Sequence, residues 1–176
     1  MSRKAIFSTY ELVLFPALGV LMFTSKLLME FLPNIHLLGM FIMVFTLVYR
    51  WKALIPLYIY VFLLGIYGGF APWWFANLYT WLVLWGMAML LPKRMPRWLC
   101  AIVYPTVCAL HGFAYGVLCV PAEVLFLNLP WESVPLWLVK GIPFDVSHGV
   151  GNLLAGLLIL PMVGLLHRLN RISHKN

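Results

Sequence analysis

The chain has 176 residues, 64% of them hydrophobic and 10% charged, with a formal net charge of +7. Soluble domains run at about 45–50% apolar and about 25% charged, so too few polar side chains are present to coat a water-facing surface. An ordinary soluble domain, a disordered chain, a disulfide scaffold and a nucleic-acid binder are excluded, and lipid is expected as the solvent.

A spanning helix needs about 20 apolar residues, which leaves room for about six crossings and none for a soluble catalytic domain. Helix 1 is predicted over 10–32, with Pro16 early enough to be tolerated or to bend it, and Pro33-Asn34 as the outer turn. Helix 2, over 36–49, would span only about 20 Å and so would start below the outer surface. Helix 3 runs over 53–70 to Gly68-Gly69, and helix 4 over 73–91 to a stop at Pro92. Helix 5 is expected over 98–120 through Pro105. The stretch 121–135, with three prolines, two glutamates and Trp131, reads as an outer lid loop. Helix 6 covers 136–167 and is expected to be irregular at Gly141-Ile142-Pro143. Strand alternation is absent, so a transmembrane β-barrel is set aside. The expectation is one all-α membrane domain over 1–176.

The basic residues give an orientation. Arg3 and Lys4 precede helix 1, Arg50 and Lys52 separate helices 2 and 3, and Lys93, Arg94 and Arg97 separate helices 4 and 5. Arg168, Arg171 and Lys175 follow helix 6, leaving only Lys26 and Lys140 elsewhere. An excess of Lys and Arg marks cytoplasmic loops, so six crossings with both ends cytoplasmic are expected. The first run is long, carries Lys26 and Glu30 and ends in Leu32-Pro33, unlike a cleavable signal peptide. Cys100, Cys108 and Cys119 share one apolar segment without CxxC spacing and read as inert core thiols.

Polar groups at membrane depth are costly and therefore informative. Asp145, His148 and Asn152 fall on one face of helix 6. His111 and Tyr115 lie on helix 5, Lys26 and Glu30 on helix 1, Tyr60 and Tyr67 on helix 3, and Trp73, Trp74, Asn77, Thr80 and Trp81 on helix 4. Nearly all of these belong to the outer halves, whereas Leu84–Leu91 and Leu153–Leu166 are mostly aliphatic. That asymmetry implies a polar, aromatic-lined pocket open outward, rather than a conduction path, which needs polar groups along its whole length. Plainer readings stand beside it. Lys26 and Glu30 also fit a local ion pair, Trp73 and Trp74 an interfacial belt, and His111 a bond to a neighbouring helix. Asp145 needs a partner, which His148 or a loop lysine would supply without any ligand.

The chain has no GxxxxGK[ST], so it carries no P-loop ATPase of its own, and no HExxH or GxSxG. Gly149-Val150-Gly151 lacks the third glycine and the preceding strand of a dinucleotide site. Ser147 and His148 are adjacent on a helix and point apart, a poor nucleophile–base pair. His36, His111, Asp145 and His148 fit no recognised metal spacing, and no metal site or resident cofactor is expected.

Two stretches, Ser25-Lys26-Leu27-Leu28-Met29-Glu30-Phe31-Leu32-Pro33-Asn34-Ile35-His36-Leu37-Leu38-Gly39 and Gly141-Ile142-Pro143-Phe144-Asp145-Val146-Ser147-His148-Gly149-Val150-Gly151-Asn152, carry a resemblance. The stretch from Gly141 to Asn152 is similar to the G-x-P-F-D-x-x-H-x-x-x-N segment that opens the last helix of substrate-binding S-components of energy-coupling factor (ECF) transporters. The chain resembles that family over its whole length, and within it is most similar to the cobalamin-specific S-components of lactobacilli. The resemblance implies six helices with both termini cytoplasmic in a bacterial plasma membrane. It further implies a vitamin, cobalamin in the first place, bound near the outer face, and an EcfT-type transmembrane coupling protein with two ABC ATPases as partners. Expected contacts are Lys26, Asn34, His36, Tyr67, Trp74 and Asn77, together with Trp81, His111, Tyr115, Asp145 and His148. Many members carry A-x-x-x-A in helix 1 as the docking surface. Here Leu21 stands four positions after Ala17, so docking is expected through Ala17 and Gly19. A smaller vitamin or a queuosine precursor is the alternative cargo. An intramembrane enzyme using Asp145 with His148 or His111, and a membrane scaffold, are the alternative classes.

Overall fold

The computed structural model describes residues 6–32 and 34–173. Arg3, Lys4 and Lys175 of the expected basic flanks, and Pro33 of the expected outer turn, lie outside the described residues. The described chain is all-helical: α1 Thr9–Leu28, α2 Leu38–Tyr49, α3 Leu54–Gly68, α4 Pro72–Leu90, α5 Arg97–Phe113, α6 Tyr115–Phe126, α7 Val134–Gly156 and α8 Ile159–Ser173. Only Ala114 separates α5 from α6, and Leu157-Leu158 separate α7 from α8, so the eight segments form six rods. Three spans are long and apolar enough to cross a membrane, or four if the bent α7–α8 pair counts as one.

Local chemistry sets the ends. Ser8 caps α1 in a capping box: its Oγ accepts from the Glu11 N–H (3.2 Å) while Glu11 Oε2 accepts from the Ser8 N–H (3.0 Å). Pro72 starts α4, where its missing N–H costs nothing. The reversal between α2 and α3 passes through a 3-10 turn, Arg50–Ala53, and requires φ +56° at Arg50, a strained value for a residue with a side chain. The guanidinium of Arg50 donates to the Met89 carbonyl (2.7 Å), anchoring that turn to the end of α4.

α2 is the central rod. Every residue from Leu38 to Thr46 is buried, as expected of a helix apolar on all sides, and α2 touches α1, α4, α5, α7 and α8. α1 lies against α3, and α5 against α7. In the α5–α7 seam the backbones nearly touch: a Cβ on Gly112 would lie 2.8 Å from Gly149 Cα, and one on Gly156 2.7 Å from Pro105 Cα. Asn152 Nδ2 donates to the Cys108 carbonyl (3.1 Å) across the same seam.

The chain departs from expectation in its last third. The stretch 121–135, expected as a lid loop, is mostly helix: α6 runs through Pro121 to Phe126, only 127–130 are irregular, and a 3-10 turn, Trp131–Ser133, leads into α7. Tyr79 on α4 explains part of this, because its hydroxyl accepts from the Ala122 N–H (3.2 Å) next to the proline. Helix 5 is broken at Ala114, short of its expected end at 120. The expected helix 6 is two helices bent by 47°, and the helix continues unbroken through Gly141-Ile142-Pro143.

The two ends of the bundle differ in chemistry. At one end, Lys52 Nζ meets Glu11 Oε1 (2.6 Å), Asn170 Oδ1 accepts from Tyr49 (3.2 Å), and Arg50 bonds α4. The opposite end gathers the last turn of α1, the start of α2, the end of α3 and the start of α4 around a cavity. Between the ends the outer surface is apolar, with Val13, Val20, Phe62, Ile66, Ile102, Leu110 and Leu154 each more than 40% exposed.

Candidate ligand-binding site

The cavity has a volume of about 340 Å³ and draws its walls from all six rods and the α1–α2 connection. Lys26 and Leu27 come from the end of α1, Glu30, Asn34 and His36 from the connection, and Leu38 from the start of α2. Tyr60, Leu64, Tyr67 and Gly68 lie on α3, Trp73, Asn77 and Trp81 on α4, Tyr115 at the start of α6, and His148 midway along α7. The helical period explains α4: residues 73, 77 and 81 recur every four positions and so share one face. On α3, Tyr60, Leu64 and Tyr67 do the same.

The floor is aromatic. Trp81 is buried, and its indole N–H donates to Asn77 Oδ1 (3.0 Å). His36 and His148 meet edge to face with ring centroids 4.8 Å apart, and Tyr115 lies 4.6 Å from His148. Trp81 stands 5.8 Å from His36 and 5.5 Å from Tyr115. At the mouth, Tyr67 donates to Glu30 Oε2 (3.3 Å). Lys26 and Glu30 therefore do not form the ion pair that their spacing allows; among the described residues the ion pair is Lys52–Glu11.

Eight of the eleven expected contacts line the cavity: Lys26, Asn34, His36, Tyr67, Asn77, Trp81, Tyr115 and His148. Three do not. Trp74 turns to α3, where its indole N–H donates to the Val61 carbonyl (2.7 Å) and its ring packs on Phe70. His111 lies behind Trp81, with Nε2 donating to the Thr80 carbonyl (2.9 Å), which is the plainer reading of that residue. Asp145 faces the first turn of α6 and accepts from the Gly116 N–H (2.9 Å). Its carboxylate caps the helix whose first residue is Tyr115, an arrangement favoured by the free N–H groups and partial positive charge of a helix start. That partner is a backbone amide, neither His148 nor a lysine.

The expected docking pair also divides. Ala17 is exposed, but Gly19 is buried against α3, where an added Cβ would come within 2.6 Å of Ile59 Cγ2. Gly19 serves helix packing and is not open to a partner.

Sequence reasoning left Glu30, Tyr60, Trp73 and the apolar Leu27, Leu38 and Leu64 out of the contact set. Tyr60 and Tyr67 at heptad spacing were the available signal for α3, and Trp73 shares the four-residue spacing of Asn77 and Trp81. Comparison with protein-family models, with curated proteins and with solved structures found no match.

Proposed function

We propose that this chain is the substrate-binding S-component of an ECF-type importer. In this reading it crosses a bacterial plasma membrane six times with both termini cytoplasmic. It captures a micronutrient at the outer face and delivers it inward when joined to a transmembrane coupling protein and two ABC ATPases. The observation that carries the proposal is the cavity at one end of a bundle with an apolar girdle, lined by eight of the side chains picked out from the sequence.

Other features support it. The apolar girdle suits lipid contact, since exposed patches of that extent are foreign to soluble monomers. Arg50 and Lys52 sit at the end away from the cavity, which supports an outward-facing cavity under the positive-inside rule. Asp145 is engaged as a helix cap, an arrangement that favours binding over intramembrane catalysis.

The cavity size bears on the cargo. A volume of about 340 Å³ lies near the lower bound of the roughly 300–1,000 Å³ usual for small-molecule pockets. It suits a compact vitamin or a queuosine precursor. Cobalamin, the first expectation, would seat one edge of its corrin ring and leave most of the molecule outside, so the volume favours the smaller cargo.

The test is purification of the tagged chain from its native membrane. The expected result is co-purification of a transmembrane coupling protein and two P-loop ATPases, with saturable calorimetric binding of a vitamin. Cyanocobalamin and the compact vitamins are titrated side by side. Isolation of the chain alone, with no saturable ligand among them, would overturn the proposal.

A further inference from the structure

The end of the bundle away from the cavity carries cations that the protein does not neutralise. Arg50, Lys93, Arg94, Arg97, Arg168 and Arg171 lie there. Of the chain's five carboxylate side chains only Glu11 shares that end, and it is paired with Lys52. Glu30 is bonded to Tyr67 and Asp145 to Gly116, while Glu123 and Glu132 fall on α6 and in the turn before α7.

The two arginines of α8 differ from the other cations because they border an apolar strip. One side of α8 packs on the bundle, with Ile159 and Leu166 buried. On the opposite side Leu165, Leu169 and Ile172 are exposed, at spacings of four and three that align them along the helix. Arg168 and Arg171, three apart and both exposed, flank that strip, and neither is ion-paired among the described residues. Gly164, one turn before Arg168, has nothing within 4 Å of where a Cβ would stand, so the space beside the arginines is open. Towards the girdle the exposed apolar surface continues through Leu158, Leu157 and Leu154. Trp98 at the start of α5 and Trp51 in the α2–α3 turn are exposed at the same end, as indoles are at the headgroup level of a bilayer.

An apolar strip bounded by two uncompensated cations asks for one molecule that carries both complements. A neutral lipid covers the strip and leaves the cations without counter-charge; a free anion does the reverse. Basic pockets beside membrane helices hold anionic lipid headgroups in this way. We propose that Arg168 and Arg171 hold the phosphate of an anionic phospholipid whose acyl chains lie along Leu165, Leu158 and Leu154. The site rests on insertion of the bundle in a membrane, and on neither the cargo nor the protein partners proposed above.

The test is native mass spectrometry of the full chain in detergent, titrated with dioleoyl phosphatidylglycerol or dioleoyl phosphatidylcholine, which share their chains and differ in net charge. The expected result is one phosphatidylglycerol adduct, saturating at a concentration about tenfold or more below that needed for phosphatidylcholine. Each cation at an anionic surface contributes about fivefold, so Arg168→Gln with Arg171→Gln should remove the preference. Lys93→Gln with Arg94→Gln takes the same charge from the α4–α5 connection and should leave it within about twofold. Arg168→Lys with Arg171→Lys keeps the charges and should keep most of the preference, which a purely structural role of the guanidiniums would not. A thermal unfolding midpoint for the α8 glutamine variant close to the parent's separates lipid loss from misfolding. Equal affinity for the two lipids, or equal loss in the two glutamine variants, would overturn the site. Displacement of the lipid by millimolar inorganic phosphate assigns the arginines to a soluble anion and overturns it too. So does loss of a co-purifying protein, with the lipid preference unchanged, in the α8 glutamine variant. None of these outcomes involves the cavity, so the importer stands or falls on its own test.

Discussion

Asp145 shows how a costly group at depth is made tolerable by a neighbouring backbone. Its carboxylate lies 2.9 Å from the Gly116 N–H, and a Cβ at Gly116 would come within 2.4 Å of Oδ2, so glycine is required for the approach. Capping side chains contribute about 0.5–2 kcal/mol. Asp145→Ala should therefore lower the unfolding free energy by about 1–2 kcal/mol, and Asp145→Asn, which keeps an acceptor, by a few tenths. Thermal unfolding in detergent checks both values. Because Tyr115 begins the capped helix, ligand affinity should fall together with stability in the alanine variant and be nearly unchanged in the asparagine one.

Packing between the rods depends on glycine in the α5–α7 seam and on polar bonds at the bundle ends. In lipid, helices gain little from apolar burial against one another, so close backbone approach and interhelical hydrogen bonds carry the association. Gly112 faces backbone atoms of α7, which cannot swing aside as a side chain does. Gly112→Ala should cost about 1–3 kcal/mol, the usual range for overpacking. Gly86 on α4 has open space around its Cα, so Gly86→Ala should be neutral or stabilising by up to about 1 kcal/mol. Chemical unfolding of the two variants side by side checks the contrast. The Lys52–Glu11 pair, about one-fifth exposed on each side, contributes at the about 0.2–1 kcal/mol level of surface ion pairs and mainly fixes the α1 end against the α2–α3 turn.

At the scale of the whole molecule, the proposed topology makes an orthogonal prediction. In a cysteine-free background, with Cys100, Cys108 and Cys119 replaced by alanine, a cysteine at position 128 should react in intact cells with a membrane-impermeant maleimide. A cysteine at position 94 should react only after the membrane is opened. The reverse pattern would invert the molecule and place the cavity inside. The polar aromatic chamber at one end of an apolar girdle is what the proposed receptor would need.

Much of this was legible along the chain because lipid solvation acts residue by residue. Composition marked the apolar rods, and prolines and charges marked most of their ends; on α4 Asn77 and Trp81 were picked out, but Trp74 was chosen where Trp73 lines the cavity. Lys26, His36, Tyr115 and His148 stood out because a polar group at depth is expensive wherever it sits. What they bond to depends on atoms distant in sequence. Asp145 found a backbone amide on α6, His111 a carbonyl on α4, and Glu30 a tyrosine on α3 in place of the lysine one turn away. Pro121 lies inside a helix, with the Tyr79 hydroxyl of α4 bonded to the neighbouring Ala122 N–H, a contact no local rule foresees. Solvent preference is a property of each side chain and can be read in one dimension; partnership and cavity volume are set by distances between rods, and only the packed structure fixes those.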